Sequence, residues 1–191
     1  MKFFNTAGPV NRPQHYKVDP LHRWNLEEIL FLIKQEKYFI LHAPRQTGKT
    51  SSMLALQEYL NQEGKYLAIY ANVEVGQAAR NNTEEGLKAI LSEIKKRTSM
   101  ISDCISSIDL PEIFRTEGVN SALNSLLTII SEKANKPVIM LIDEIDSLVG
   151  DTLISVLRQL RSGYDKRPGS FPSSVVLCGV RDIKDYRIQT S

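Results

Sequence analysis

The chain has 191 residues, of which 42% are hydrophobic and 24% are charged, and its formal net charge at pH 7 is +2. This length accommodates one domain of ordinary size, or one domain and a fragment. The small net charge gives no electrostatic argument for binding nucleic acid or a membrane surface. The first ten residues hold no apolar core of signal-peptide length, and the longest apolar runs, 29–33 and 138–142, are far too short to span a bilayer.

Four apolar runs predict the strands of a buried parallel sheet, because their residues do not alternate between apolar and polar. In chain order, they read KYFILHA from residue 37, KYLAIYANV from residue 65, PVIMLID from residue 137 and SSVVLCGV from residue 173.

Helical patterns separate these runs. Asn25 is a candidate cap for a helix that reaches about Glu36, ahead of the first strand. After that strand, a helix over 50–61 is followed by Gly64, a residue type that commonly ends helices. Apolar residues at helical spacing predict three further helices, of which one begins at Thr83, one contains 123–130 and one contains 153–160. The Ser-rich stretch 99–107 predicts a loop or a short helix.

The alternation of strands with helices predicts an α/β fold of three layers, in which helices cover both faces of a doubly wound parallel sheet. Ligands of such sheets bind at the carboxyl ends of the strands. The polar segments that follow the predicted strands are therefore the first place to look for chemistry.

The segment after the first strand matches the P-loop, or Walker A, pattern, and it reads Ala43-Pro44-Arg45-Gln46-Thr47-Gly48-Lys49-Thr50. It departs from the pattern once, because Ala43 stands where the first glycine is usual. Backbone N–H groups of such a loop form an anion-binding nest, and the following helix adds its positive N-terminal end. Gly48 lets the backbone approach a phosphate, since it has no Cβ. We predict that Ala43 to Ser51 bind a nucleotide, with Lys49 bridging its β- and γ-phosphates.

The run PVIMLIDEID ends in an acidic pair of the Walker B type. The Thr50 hydroxyl and the Asp143 carboxylate offer the oxygen ligands that Mg²⁺ prefers, with Asp143 acting through a water. Glu144 is the predicted general base that polarises the attacking water. Glu144 and Lys49 are therefore candidate catalytic residues, and Thr50 and Asp143 are candidate metal-binding residues.

A strand between the P-loop and the acidic pair, together with a Glu beside the Asp, resembles the additional-strand, catalytic-Glu division of P-loop NTPases, which includes AAA+ and STAND ATPases. The stretches LHAPRQTGKT, NVEVGQAAR and GVRDIKDYR are similar to a family of bacterial and archaeal AAA-type ATP-binding proteins, close to the STAND and origin-recognition-like groups. The resemblance covers nearly the whole chain. It implies ATP binding and hydrolysis.

The resemblance implies a sheet order of 5-1-4-3-2, with SSVVLCGV between the P-loop strand and the Walker B strand. It places Arg181 at the sensor-1 position, where it would contact the γ-phosphate as a third catalytic residue. The alternative is that Arg181 pairs with Asp182 or Asp185 at the sheet edge. Members of the family continue past this point, so we expect 25–191 to be an incomplete, C-terminally truncated ATPase core without the fifth strand and the lid.

Several weaker signals leave alternatives open. Residues 1–24 are irregular, and related ATPases bind adenine with such a segment. His15 or Tyr16 could stack on the base, although a lone aromatic side chain in a loop more often serves plain packing. Asn72 and Glu74 end the second strand, where a polar group can orient Glu144. Arg45 could touch phosphate, stack on a base or lie in solvent. Three arginines after the Walker B strand could act on a neighbouring subunit or form a solvated face: Arg158, Arg161 and Arg167.

The sequence thus predicts an ATPase that binds ATP together with Mg²⁺. The alternatives are a nucleotide-binding switch or inactive truncated ATPase without significant turnover, and a DNA-associated ATPase of origin-recognition type, for which no DNA-binding domain is visible. The open edge of the P-loop strand predicts self-association or a protein partner. Cys104 and Cys178 form no metal or redox motif, and we expect buried thiols in a reducing cytoplasm.

Overall fold

A computed structural model describes residues 19–102 and 107–180 of the chain. Its sheet has four parallel strands, β1 (Tyr38–His42), β2 (Leu67–Asn72), β3 (Val138–Asp143) and β4 (Ser174–Gly179). Their spatial order is β1-β4-β3-β2, which confirms the predicted α/β fold and places the fourth strand between the P-loop strand and the Walker B strand. Residues 181–191 lie outside the described residues, and the absence of the fifth strand and the lid stays a prediction.

Six α-helices are present in the described part of the chain. They are α1 (Leu26–Lys34), α2 (Lys49–Glu63), α3 (Thr83–Ser99), α4 (Leu110–Glu117), α5 (Ala122–Lys133) and α6 (Gly150–Ser162). The five helices predicted from periodicity are confirmed, with ends that differ by one or two residues in α1 and α2. Asn25 caps α1 through a hydrogen bond from the Glu28 N–H, and Gly64 ends α2 in a left-handed conformation.

Helix α4 was not predicted. It has only eight residues and three apolar side chains, too few for a helical period to stand out. Its start does carry a signal, because Asp109 caps it through the Glu112 N–H and a proline occupies the first turn. A 3-10 segment, Val73–Ala79, also follows β2 where the sequence indicated only a strand end.

The sheet separates two apolar cores, and alternate residues of each strand enter opposite ones. On one side, Ala68 and Tyr70 of β2 join Leu141 and Cys178 over α1 and α2. On the other side, the intervening strand residues pack against α3, α4, α5 and α6. Both faces are covered, which explains why the strands read as continuous apolar runs. Cys178 is a buried free thiol, as predicted, and Cys104 lies outside the described residues.

Within residues 19–102 and 107–180, no helix combines the length and the apolar character needed to cross a bilayer.

Helices α3 and α6 meet closely at Gly86. A Cβ built on Gly86 would lie 2.7 Å from Thr152 Cγ2. Thr152 is buried, and its hydroxyl donates a 2.7 Å hydrogen bond to the Arg80 carbonyl, so the side chain cannot turn away freely. The close packing of α3 on α6 therefore needs a glycine at this point.

We predict that Gly86→Ala lowers the free energy of unfolding by about 1–2 kcal/mol, because overpacking outweighs the gain in helix propensity. Chemical denaturation measures this change. Adding Thr152→Ser removes the crowding methyl group and keeps the hydroxyl, so the double variant should regain much of the loss. A Gly86→Ala variant more stable than the parent protein would contradict the predicted contact.

Candidate functional site

The carboxyl ends of the parallel strands meet at one edge of the sheet, and the predicted site residues follow them. His42 pairs with Gly179, and Asn72 pairs with Asp143. The loop after β1, the acidic pair after β3 and the end of β4 are therefore neighbours.

The predicted P-loop residues form the turn between β1 and α2. Gln46 and Gly48 adopt positive φ values of 59° and 83°, which bend the chain from strand to helix within a few residues. In the described part of the chain, no side chain caps α2, α5 or α6, whereas α1, α3 and α4 each have an Asn or Asp cap. The 15-residue helix α2 thus begins with backbone N–H groups that remain available to an anion.

Lys49 lies beneath this loop. Its side chain is buried, and Nζ donates hydrogen bonds to the carbonyl oxygens of Ala43 (2.9 Å) and Pro44 (3.0 Å). The Pro44 carbonyl also accepts a 2.8 Å hydrogen bond from Thr47 Oγ1. These contacts shape the loop and keep a positive charge inside it. If a phosphate is bound, Lys49 can replace the two neutral carbonyl acceptors with charged phosphate oxygens, which accept hydrogen bonds from an ammonium more strongly.

The remaining loop side chains face solvent or are partly covered. Pro44, Arg45, Gln46 and Thr47 are exposed, and Ser51 is partly buried. Within residues 19–102 and 107–180, the Arg45 side chain makes no hydrogen bond or ion pair, so its role stays open. The loop therefore offers its backbone, with Lys49 as the charged group held in place.

Asp143 joins the second half of the site to the first. Its side chain is 0% exposed, and Thr50 Oγ1 donates a 2.7 Å hydrogen bond to its Oδ2. The Tyr70 hydroxyl donates to the same oxygen at 2.9 Å, and the Glu144 N–H donates to Oδ1 at 3.0 Å. Sequence reasoning had not found Tyr70, although a tyrosine inside an otherwise apolar buried strand calls for a hydrogen-bond partner.

Two buried neighbours of Asp143, Tyr70 and Cys178, stay uncharged. Burial raises the pKa of the Tyr70 hydroxyl, and the Asp143 carboxylate adds to the effect. Burial likewise raises the pKa of the Cys178 thiol, with Asp143 acting in the same direction. Both groups therefore face the carboxylate as uncharged side chains.

The donor set fits Mg²⁺. Thr50 and Asp143 present a hydroxyl and a carboxylate side by side, and Mg²⁺ in phosphate-transfer sites is held by one or two such oxygens together with substrate phosphates. In residues 19–102 and 107–180, no group of three or more His, Cys, Asp or Glu side chains is placed to hold a metal ion.

Glu144 has an unusual backbone and an altered acidity. It adopts a left-handed conformation, with φ 57° and ψ 38°, at the start of the short 3-10 turn Ile145–Ser147. Partial burial raises the pKa of Glu144, and the carboxylates of Asp143 and Asp146 raise it further, while the Lys49 ammonium opposes them. A carboxyl with a raised pKa is a better proton acceptor than an ordinary glutamate.

The third predicted catalytic residue, Arg181, lies outside the described residues. The residue before it is tied to the site, because the Val180 N–H donates a 3.1 Å hydrogen bond to Asp146 Oδ2. Asp146 thus links the end of β4 to the acidic segment, a role that its place in the sequence did not indicate.

A cavity of about 440 Å³ opens beside the loop. Its walls come from two places, the segment around Arg23, Trp24 and Glu28 and the exposed side of β1, and it reaches Ala43 and Lys49. A second depression, of about 370 Å³, lies at the opposite end of the sheet near Leu67, away from the loop.

The described end of the predicted N-terminal segment, residues 19–24, contains a 3-10 turn over Pro20–Arg23. Ser52 Oγ of α2 donates a 3.0 Å hydrogen bond to the Pro20 carbonyl, and Arg23 Nη1 donates a 3.4 Å bond to the Thr47 carbonyl. The segment therefore rests on the loop and the first turn of α2. His15 and Tyr16 lie outside the described residues.

The weaker candidates separate. Asn72 pairs with Asp143, but its side-chain oxygen caps the 3-10 segment through the Glu74 N–H. Arg158 and Arg161 are exposed on α6, which is compatible both with a solvated face and with action on a neighbouring subunit. Arg167 instead stacks on Tyr164, with its guanidinium carbon 3.5 Å from the ring centroid. It also contacts Tyr38, at the end of β1 that lies away from the loop.

Four parallel strands in this order, with a phosphate-type loop after β1 and an acidic pair after β3, define the core of a P-loop NTPase. A family model described as "AAA domain" matches residues 33–186, and the chain belongs to that family. Membership implies ATP binding and hydrolysis. No curated protein matches the chain.

Among solved structures, the chain is similar in fold to a chain of the Drosophila ORC bound to poly(dA/dT) DNA and Cdc6 (conformation 1). The TM-score is 0.50 and the sequence identity is 13%, over 87% of this chain and 26% of that chain. The chain thus spans about a quarter of the length of that relative, and the likeness concerns the fold.

The left-handed glycine at the start of α2 can be tested against the one at its end. We predict that Gly48→Ala and Gly64→Ala each cost about 1–2 kcal/mol of stability, because both positions have positive φ. Only Gly48→Ala should weaken ATP binding, by about tenfold or more, since a glycine at the start of α2 lets the loop backbone approach a phosphate closely. A Cβ built on Gly48 would also lie 2.8 Å from Arg23 Nη1 and would displace that side chain from the loop. Calorimetric titration and denaturation measure the two effects. Equal ATP affinity in the two variants would contradict the assignment of the loop.

Proposed function

We propose that this chain binds ATP with Mg²⁺ at the loop after β1 and hydrolyses it. The observation that carries the proposal is the 2.7 Å hydrogen bond from Thr50 to Asp143, which unites the two halves of the site across the sheet. The family membership supports the reaction class, and the contacts support the individual roles.

In this proposal, the phosphates lie over the open N terminus of α2. Backbone N–H groups of residues 43–51 surround them, and Lys49 transfers its hydrogen bonds from the Ala43 and Pro44 carbonyls to phosphate oxygens. The buried position of Lys49 supports this role, because a charge in a partly desolvated site attracts an anion more strongly than one in water.

We assign the metal to Thr50 and Asp143. The Thr50 hydroxyl oxygen can give a lone pair to the cation while its O–H continues to donate a hydrogen bond to Asp143, so the observed hydrogen bond is compatible with metal binding. Bound Mg²⁺ would neutralise the negative charge that develops on the phosphates.

Glu144 is proposed as the base that orients and deprotonates the attacking water. Its raised pKa and its place beside Asp143 support this role. The left-handed backbone at Glu144 stores strain of the kind that functional sites often hold. Arg181 is retained as the proposed contact to the γ-phosphate, on the family resemblance alone.

We propose that the cavity beside the loop receives the nucleotide base. Its size, its position next to Ala43 and the presence of Trp24 support this, because an indole ring can stack on a purine. Within the segment 1–24, for which an adenine contact is predicted, we thus propose Arg23 and Trp24 as the residues beside the base.

The decisive experiment compares Glu144→Gln with the parent protein. We expect unchanged ATP affinity and a loss of about 10²–10⁴-fold in phosphate release, because the amide cannot accept the proton of water. Calorimetric titration and a phosphate-release assay measure the two quantities, and Glu117→Gln, at an exposed site on α4, is the matched control.

The outcomes separate the hypotheses. An equal rate in Glu144→Gln and the parent would refute the assigned base. Tight Mg²⁺-ATP binding with no turnover in the parent protein would instead establish the nucleotide-binding switch. Absence of ATP binding would refute the proposed site.

A further inference from the structure

We propose that Tyr70 is a positioning residue, which holds the Asp143 carboxylate in the orientation that metal binding requires. The inference rests on the proposed function and deepens it, since it adds a residue that contacts neither nucleotide nor metal. The observation behind it is the 2.9 Å hydrogen bond from the Tyr70 hydroxyl to Asp143 Oδ2.

Strand geometry brings the two side chains together. Tyr70 pairs with Leu141, and Asp143 is two residues further along β3, so the two point to the same face of the sheet in diagonal positions. A tyrosine is long enough to span such a diagonal. Its hydroxyl reaches Asp143 from the α1–α2 side, where α2 also brings Thr50.

The tyrosine itself is held on two sides. Its side chain is 2% exposed within the core between the sheet and α2. The Arg97 guanidinium of α3 lies 5.3 Å from the ring centroid, and Glu93 fixes Arg97 through a 2.6 Å ion pair. The hydroxyl therefore approaches Asp143 from a fixed direction.

The three hydrogen-bond donors to Asp143 differ in whether they belong to a segment that would contact the nucleotide. Thr50 belongs to the loop–helix junction that meets the phosphates, and the Glu144 N–H belongs to the strained turn. Tyr70 belongs to neither segment, because it lies on β2 and its ring is buried in the sheet core. It is the donor whose position does not depend on the ligand, and it can therefore fix the carboxylate before the metal arrives.

A purely structural role is the competing explanation, because a buried carboxylate needs donors in any case. The two roles predict different results. A structural role costs stability alone. A positioning role changes the affinity for Mg²⁺, and loss of an outer hydrogen bond to a metal ligand typically costs 10- to 100-fold in metal affinity.

The test is Tyr70→Phe, which removes the hydroxyl and keeps the ring. We expect the Mg²⁺ concentration for half-maximal Mg²⁺-dependent ATP binding to rise about tenfold, with ATP binding in EDTA unchanged. Fluorescent-nucleotide titrations at graded Mg²⁺ measure both. An unshifted Mg²⁺ dependence in Tyr70→Phe would overturn the inference.

Tyr38→Phe is the matched control. The Tyr38 hydroxyl also donates one hydrogen bond, to the Pro172 carbonyl at 3.1 Å, at the far end of β1. Both variants should lose comparable stability in chemical denaturation, and Tyr38→Phe should leave the Mg²⁺ dependence unchanged. An equal shift of the Mg²⁺ dependence in both variants would show a general effect of destabilisation and would also overturn the inference.

A double variant checks that the effect of Tyr70 acts through Asp143. In an Asp143→Asn background, adding Tyr70→Phe should produce no further change in Mg²⁺ dependence, since the carboxylate to be positioned is gone. A full additional shift would contradict the route through Asp143. Failure of the parent protein to bind ATP would refute the proposed function, whereas normal binding with unshifted Tyr70→Phe refutes only this inference.

Discussion

A single hydrogen bond, from Thr50 at the start of α2 to Asp143 at the end of β3, closes the site of this protein. The two residues are 93 positions apart in the chain. They meet because parallel strands end at the same edge of the sheet, and because the side chain of Asp143 points to the face that α2 covers. Moving Asp143 by one residue would turn the carboxylate to the opposite core and leave Thr50 without its partner.

The same contact carries a cost. Asp143 is fully buried, and removing a carboxylate from water is unfavourable unless hydrogen bonds replace its hydration. Three donors supply that replacement, from α2, β2 and the turn at Glu144. The strained backbone of Glu144 and the buried ammonium of Lys49 belong to the same small volume. Two buried charges and a left-handed glutamate therefore lie close together, although each of them lowers the stability of the fold. Such concentrations are typical of functional sites.

The neighbouring elements serve this arrangement in different ways. The turn over Pro20–Arg23 rests on α2 and on the loop, so the segment before α1 forms one wall of the cavity beside the phosphate loop. Asp146 ties the end of β4 to the acidic turn through the Val180 N–H. Strand ends that are distant in the chain are therefore connected by side chains as well as by the sheet.

Much of this could be predicted from the chain itself. Continuous apolar runs located all four strands, since a sheet covered on both faces leaves no polar alternation. The Gly-Lys-Thr triplet and the Asp-Glu pair predicted two segments that the structure brings together at one edge of the sheet, where Thr50 contacts Asp143. Their roles toward phosphate and metal stay predictions. Tyr70, Arg23 and α4 could not be found in this way. Tyr70 and Arg23 matter because of the residues they contact in the folded chain. Helix α4 is marked by a cap and a proline, and not by a helical period of apolar residues.

The sequence by itself determined the strands, the longer helices and the chemical character of the loop and the acidic pair, since these depend on local periodicity and on the nature of single side chains. Only the tertiary structure decided which buried tyrosine faces the carboxylate, and which segment covers the loop. The physical reason is that such contacts depend on strand register and on helix packing, which join residues far apart in the chain and leave no repeating pattern in it.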